Sequence, residues 1–190
     1  MASVSGGNRM AAVLARIGKS LAGAQEVRVG FLEGSTEGDG TSIPMIAAIN
    51  EFGSTIQREP GQVTIYRAVK NNGEFAKNGR FVKRAKSNFS STHYVGAYLI
   101  TIPPRPFFRT MIAKESPQWG KELGKLLIDG RYNARRALDG MGKVIGDQLQ
   151  ASIRNFSDPP NAPSTVRKKG FNKPLIDTSD MLKSVDHEVV

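Results

Sequence analysis

Few residues of this chain could do chemistry, and their spacing gives them little to work with. There are two histidines, His93 and His187, and no cysteine. They lie in unrelated stretches, and neither has a carboxylate at helical spacing that would orient its ring as a general base. A metal centre needs two or three ligands gathered together. His93 reads instead as a satisfied polar residue at a strand entrance. Glu37-Gly38-Asp39-Gly40 looks like a scrap of a calcium loop without the further spaced carboxylates that would complete one. No G-x-S-x-G elbow, Walker-type phosphate loop or G-x-G-x-x-G turn after a strand occurs. Without cysteine there is neither a disulfide framework nor a thiolate metal site, which suits a reducing cytoplasm. The expectation is a protein that is not an enzyme and uses no cofactor and no metal.

What stands out instead is structural punctuation at three places. Asn50-Glu51-Phe52-Gly53 closes a helix. Ile102-Pro103-Pro104-Arg105-Pro106-Phe107-Phe108-Arg109 joins a strand to a helix. Pro159-Pro160-Asn161-Ala162-Pro163-Ser164-Thr165 leads through Lys168-Lys169-Gly170 to Lys173-Pro174-Leu175-Ile176-Asp177-Thr178-Ser179. Prolines and caps make sharp corners, Phe107 and Phe108 fill a core, and Arg105 can simply pair with a carboxylate. Glu51 is the candidate, since both residues sit beside phenylalanines at helix ends. A pair of this type fixes geometry more than it adds stability.

The elements that must position these segments follow from periodicity. Met10, Val13, Leu14, Ile17 and Leu21 form one apolar stripe on a helix from about Asn8 to Leu21, which Gly23 can end. Glu26 to Phe31 alternates as a half-buried strand, and Gly34 to Gly40 is a loop. Thr41 or Ser42 caps a helix with Pro44 in its first turn and Met45, Ile46, Ala48, Ile49 and Phe52 on its apolar side; Gly53 stops it. Tyr94 to Ile102 is β-rich. Phe107, Phe108, Met111 and Ile112 start one helix, and Ser116-Pro117 reads as the start of another carrying Trp119, Leu123, Leu126 and Leu127. The longest helix runs from about Tyr132 to Phe156, roughly 36 Å, with Leu138, Met141, Ile145, Leu149, Ile153 and Phe156 on one face. In the tail, Ser164 or Thr165 caps a short helix ending near Gly170. Asp177-Thr178-Ser179-Asp180 caps a second, with Met181, Leu182 and Val185 inward.

Residues 54–92 differ from the rest. Val63-Thr64-Ile65-Tyr66 is their one apolar strand signal, and Asn71-Asn72-Gly73 marks a turn. Between Arg58 and Lys86, eight basic residues face two acidic ones, a net +6 out of the chain's +10. The segment reads as an extended β-hairpin arm with Lys77, Arg80, Lys83, Arg84 and Lys86 at a basic tip, facing DNA or an acidic partner. The apolar run near the N-terminus is too short and too charged for a signal peptide or a membrane span, so the product is expected to stay in the cell that makes it, with no membrane partner. Length and composition fit one domain over residues 1–190, with the basic insert at 54–92 and a proline-rich C-terminal arm at 157–190.

In this order the three punctuated segments resemble the tail-completion and virion-morphogenesis family of tailed bacteriophages. Its members combine an N-E-F-G helix end, a P-P-R-P-F-x-R strand–helix corner and a late P-L-I-D-T-G-x-L segment. The likeness covers about residues 26–186, with 58–92 as an insert peculiar to a subset. It places assembly motifs at Asn50, Glu51, Phe52 and Gly53, at Pro104, Arg105, Pro106, Phe107 and Arg109, and at Pro174, Leu175, Ile176, Asp177 and Thr178. Ser179 stands where the family has glycine, a change that keeps N-capping chemistry. The resemblance implies a virion structural protein without enzymatic activity, made in the host cytoplasm and residing in the phage neck. There it would form a homo-oligomeric ring, a hexamer ahead of a dodecamer, against head-completion or connector proteins and tail-tube or sheath proteins, with genomic DNA in the channel. The expected class is α+β, a small mostly antiparallel sheet packed by the N-terminal helix and the long helix. The alternatives are another minor virion protein of tail or capsid, or a basic nucleic-acid-binding regulator; the latter would want a helix-turn-helix, and none precedes the basic Val166-Arg167-Lys168-Lys169.

Overall fold

Apolar residues repeating at three and four along residues 107–129 and 134–155 make two long helices, and the hairpin they form organises the rest. The computed structural model describes residues 7–21, 26–31 and 33–190. Its elements are α1 (Gly7–Leu21), β1 (Val27–Phe31), α2 (Ile43–Phe52), β2 (Ser54–Arg58), β3 (Gly61–Arg67), β4 (Phe89–Val95), β5 (Tyr98–Ile102), α3 (Phe107–Asp129), α4 (Ala134–Asn155), α5 (Pro163–Lys169), α6 (Asp180–Lys183) and β6 (Val185–Val189). The class is α+β, as expected. The chain divides into two compact units, one of Met1–Ser54 with Pro103–Val190 and one of Thr55–Ile102.

In the first unit, α3 and α4 run antiparallel. Ser152 Oγ donates to the Phe107 carbonyl at 2.7 Å, and Trp119 Nε1 donates to Gln148 Oε1 at 2.9 Å. Nearer the turn, Leu126 packs against Gly140. Arg131 and Tyr132 turn the corner in left-handed conformations (φ 54° and 62°), and the Asn133 side chain caps α4 by accepting from the Arg136 N–H at 2.9 Å. Ser116-Pro117 does not begin a new helix: α3 is continuous and carries Pro117 inside it. Proline removes one backbone hydrogen bond there, and packing along α4 overrides that local preference. On α4 the expected face is buried at Met141, Leu149 and Ile153 and half-buried at Leu138, Ile145 and Phe156.

The core joins Ile43 and Ala47 of α2, Phe107 and Met111 of α3, Leu149 and Ile153 of α4, and Leu175 and Met181 of the tail. The segment 157–190, expected to be an arm, is therefore built into the subunit. Its last residues form a strand that helical periodicity concealed: β6 pairs antiparallel with β1 in the register Val27↔Val189 to Phe31↔Val185. Val185, expected on a helix face, opens that strand. The strands form three two-stranded ribbons, β1–β6, β2–β5 and β3–β4. On α1 the apolar stripe is present, but Val13 and Leu14 remain 46% and 62% exposed. Gly23 and the side chains of Met10 and Leu21 lie outside the described residues.

In the second unit, β3 and β4 pair antiparallel from Gly61↔Val95 to Arg67↔Phe89, the expected hairpin. The unit extends ten residues beyond the expected boundary at 92, because the β-rich run breaks at Gly96-Ala97 and β5 returns to pair with β2.

β6 passes over α4 where Gly142 leaves room for it: a Cβ at this position would overlap the His187 ring. Gly142→Ala gains about 1 kcal/mol of helix propensity but incurs roughly 1–3 kcal/mol of overpacking, so a net destabilisation is expected in urea melts. Pairing it with His187→Ala should abolish the loss. Equal destabilisation in both backgrounds would place the strain elsewhere.

Candidate functional site

The three punctuated segments meet in the first unit, and the contact starts from a helix that cannot cap itself. Pro106 occupies the N-cap position of α3 and offers no side-chain acceptor. The Glu51 carboxylate, reaching from the end of α2, takes that role. Phe108 N–H donates to Oε2 at 2.9 Å and Arg109 N–H donates to Oε1 at 3.1 Å. These are the second and third residues of the helix, where orphan N–H groups need acceptors and the helix dipole favours negative charge. Arg109 Nε also donates to Oε1, at 2.8 Å, and its Nη2 donates to the Glu51 carbonyl at 3.0 Å. Glu51 is only 5% exposed, so its desolvation is offset by these charge-assisted bonds. The Arg109 guanidinium lies 5.1 Å from the centre of the Phe52 ring, covering part of a phenylalanine that is otherwise 67% exposed. Gly53 closes α2 at φ 76°, a conformation glycine adopts freely.

The expected pairing of Glu51 with Arg105 is therefore wrong, and Arg109 is the partner. With the Glu51 oxygens occupied by α3, Arg105 bonds to neutral acceptors. Its Nη1 donates to Asn50 Oδ1 at 3.0 Å, its Nε to the Pro159 carbonyl at 3.4 Å, and its backbone N–H to the Asn50 carbonyl at 2.6 Å. Asn50 Nδ2 in turn donates to the Ile46 carbonyl at 2.9 Å. Burial pushes the Arg105 pKa down from its ordinary value, though a guanidinium keeps its proton throughout the physiological range. One buried side chain thus ties the helix end at Asn50 to the proline corner and to the start of the tail.

The third segment wraps around Lys169. Gly170 ends α5 in the left-handed conformation, φ 83°, and Lys169 Nζ donates to the carbonyls of Lys173 (2.8 Å) and Ile176. Its pKa is lowered, chiefly by burial and further by the Arg105 charge, with Asp177 opposing. Leu175 is buried in the core while Asp177 and Thr178 are exposed. Asn50, Asn161, Lys169, Ile176, Asp177 and Thr178 border a cleft of about 270 Å³. Lys169, half-buried beside it, is engaged by main-chain carbonyls, while the buried Asn161 Nδ2 finds no hydrogen-bond partner among the described residues; the bonds of Glu51, Arg105 and Lys169 hold three corners at fixed angles.

At Ser179 the serine does not act as a cap: its side chain makes no capping bond, and its backbone is left-handed, φ 71°. Asp180 N–H finds Thr178 Oγ1 instead, at 3.4 Å. The glycine of the resembled motif matches this backbone, and serine adopts it under strain.

Both histidines have partners, and sequence spacing hid that of His187. His187 Nε2 lies 3.0 Å from Asp139 Oδ1, a contact across 48 positions made by packing β6 on α4. Lys143, first, and then His187 hold the Asp139 carboxyl below its ordinary pKa. His93 Nε2 lies 2.9 Å from Ser91 Oγ on the same face of β4, an exposed pair with no carboxylate against its ring among the described residues. Among the described residues, no three His, Asp or Glu side chains gather as a metal-binding group, and no helix is long and apolar enough to cross a membrane. Lys77, Arg80, Lys83, Arg84 and Lys86 belong to the second unit, apart from the motif residues. Comparison of the chain with protein-family models, with curated proteins and with solved structures finds no match.

Two substitutions test this geometry in chemical denaturation. Glu51→Gln keeps one acceptor and is expected to lose about 1–2 kcal/mol, whereas Glu51→Ala orphans the α3 N–H groups and should lose about 2–4 kcal/mol; equal losses contradict the capping role. Ser179→Gly should stabilise the subunit by about 1 kcal/mol by relieving the left-handed serine, and a destabilised variant would show that the hydroxyl has a role.

Proposed function

We propose that this protein is a structural subunit of a tailed bacteriophage, forming a ring in the neck where head and tail join, as a tail-completion, terminator or head–tail joining component. The observation that carries the reading is the convergence of Asn50–Gly53, Pro103–Arg109 and Pro159–Ser179, the segments that resemble that family, on one brace through Glu51, Arg105 and Lys169. Residues far apart in sequence and shared with a family are expected to meet either where chemistry happens or where the framework is set. Here Glu51, Arg105 and Lys169 are bonded largely to backbone groups, which suits a framework.

Surface left apolar supports assembly. Val13 and Leu14 of α1 and Phe52 beside a groove lined by Phe31, Pro44, Ala48 and Phe108 are the kind of surface a neighbouring subunit would cover. A ring closes by head-to-tail contacts between unlike patches, here the α1 stripe of one copy and the Phe52 groove of the next. The partners in this reading are copies of the chain and the connector and tail proteins above and below.

Leu14→Asp separates folding from assembly. Leu14 is exposed in the subunit, so the melt should move by less than about 0.5 kcal/mol, while ring formation and head–tail joining are lost. In wild-type particles, a label on this chain viewed by electron microscopy should mark a single ring at the junction. Label spread in hundreds of copies over the capsid would overturn the neck assignment, as would normal joining in particles that lack the protein.

A further inference from the structure

The second unit carries a cluster of cations that no ion pair among the described residues neutralises. From Phe75 to the end of the unit at Ile102 there is no carboxylate, and five basic residues, Lys77, Arg80, Lys83, Arg84 and Lys86, fall within ten positions. All five are exposed, and none has an ion-pair partner among the described residues. Two of the unit's other three cations contrast with them: Lys70 pairs with Glu74 at 3.5 Å, and the Arg67 guanidinium lies 5.1 Å from the Phe75 ring centre and 5.3 Å from that of Phe81, while Arg58 has no ion-pair partner among the described residues.

This tip is held in place. Val82 N–H donates to the Tyr66 carbonyl at 2.9 Å, and Asn88 brackets Val69 by accepting from its N–H (2.6 Å) and donating to its carbonyl (2.7 Å). Phe75 meets Phe89 edge-on at 5.5 Å. Lys77, Asn78 and Gly79 follow one another in the left-handed region, φ 52°, 55° and 74°. Backbone strain at two non-glycine residues persists where the surrounding structure enforces it, and such strain concentrates at functional sites. The chain therefore spends order and conformational strain to display like charges side by side, an arrangement that repels itself until a polyanion arrives.

We infer that this tip binds the phosphate backbone of nucleic acid without regard to sequence. Cation density alone suffices for such binding, through release of condensed counterions. An acidic protein surface would call for a desolvated apolar centre among the charges. The rings beside these cations, Phe75 and Phe81, already have Arg67 against them, and the exposed part of Phe81 suits a sugar or an unstacked base. The inference rests on the charge and order of this unit and not on the ring reading, so it stands or falls separately.

The test is a salt titration of binding by the full-length protein, using fluorescence anisotropy with a random-sequence duplex, a single strand of the same length, and polyglutamate as competitor. If five phosphates are contacted, log affinity for duplex should fall with log salt at a slope of about −4.5 between about 50 and 200 mM, and for the single strand at about −3.5. Duplexes of different sequence should bind alike. Replacing all five residues with Gln should flatten the slope and weaken binding by at least about 100-fold at 50 mM salt, with an unchanged melt. Exchanging Lys for Arg at positions 77, 83 and 86 should keep both affinity and slope. A five-Gln variant that binds with the wild-type slope overturns the assignment, as does a wild-type protein that ignores both nucleic acids. Polyglutamate competing as well as DNA would assign the tip to an acidic protein instead. Steeper, tighter binding to duplex or to single strand identifies which form of the phosphate chain it takes.

Discussion

A buried carboxylate is tolerated only where donors are already aimed at it, and the first unit depends on Glu51 being such a case. The proline corner that launches α3 cannot supply its own cap, and a helix of 23 residues leaves unpaired N–H groups and a dipole at that end. Glu51 answers both, and in doing so it fixes where α3 begins relative to α2. Once that joint is set, Phe107 points into the core against Phe31, with the rings 6.3 Å apart, and the Phe107 carbonyl accepts from Ser152 of α4. The helical hairpin, the β1–β6 ribbon lying on it and the tail that supplies Leu175 and Met181 all take their places from this start.

The same joint makes the basic unit affordable as an insertion. The chain leaves the first unit after Ser54 and returns at Pro103, and the residues flanking those points are the ones that bond to each other. Asn50 meets Arg105 through backbone and side chain, and Glu51 meets Arg109. Closing a loop of 48 residues costs about 3 kcal/mol of chain entropy in the simplest treatment, and lengthening it further adds little. A network that already holds the two ends together can absorb that cost whatever lies between them. The inserted strands can therefore be poor in apolar core residues of their own.

Elements with strong local signals were legible in the sequence. The α4 stripe, the Asn71-Asn72-Gly73 turn, the glycine stop of α2 and the hairpin around Val63 to Tyr66 all follow from spacing or backbone preference, which act locally. The misses share one cause: long-range packing decided them. Pro117 looks like a helix start because its local preference is real, but packing along α4 keeps α3 continuous through it. β6 was hidden because pairing with β1, more than 150 positions away, selects the strand over a short helix. Arg105 was matched to Glu51 on proximity to helix ends, yet the α3 N–H groups and Arg109 fill that carboxylate first. The signal that would have found Arg109 was present: a proline at the N-cap leaves the third helical position in search of an acceptor.

Charge divides along the same line as structure. The Thr55–Ile102 unit holds +6 of the net +10, leaving +4 spread over the rest of the chain. A scaffold so nearly balanced can lie against copies of itself with little repulsion, since exposed charges beyond about 8 Å are screened at physiological salt. The arms cannot, because each brings five unpaired cations within ten residues. Any assembly that gathers several of these chains must therefore either keep the arms more than a screening length apart or place a polyanion between them. In a closed ring the first solution directs the arms outward and the second directs them toward a shared axis. In the second, phosphates entering between the arms would offset their mutual repulsion.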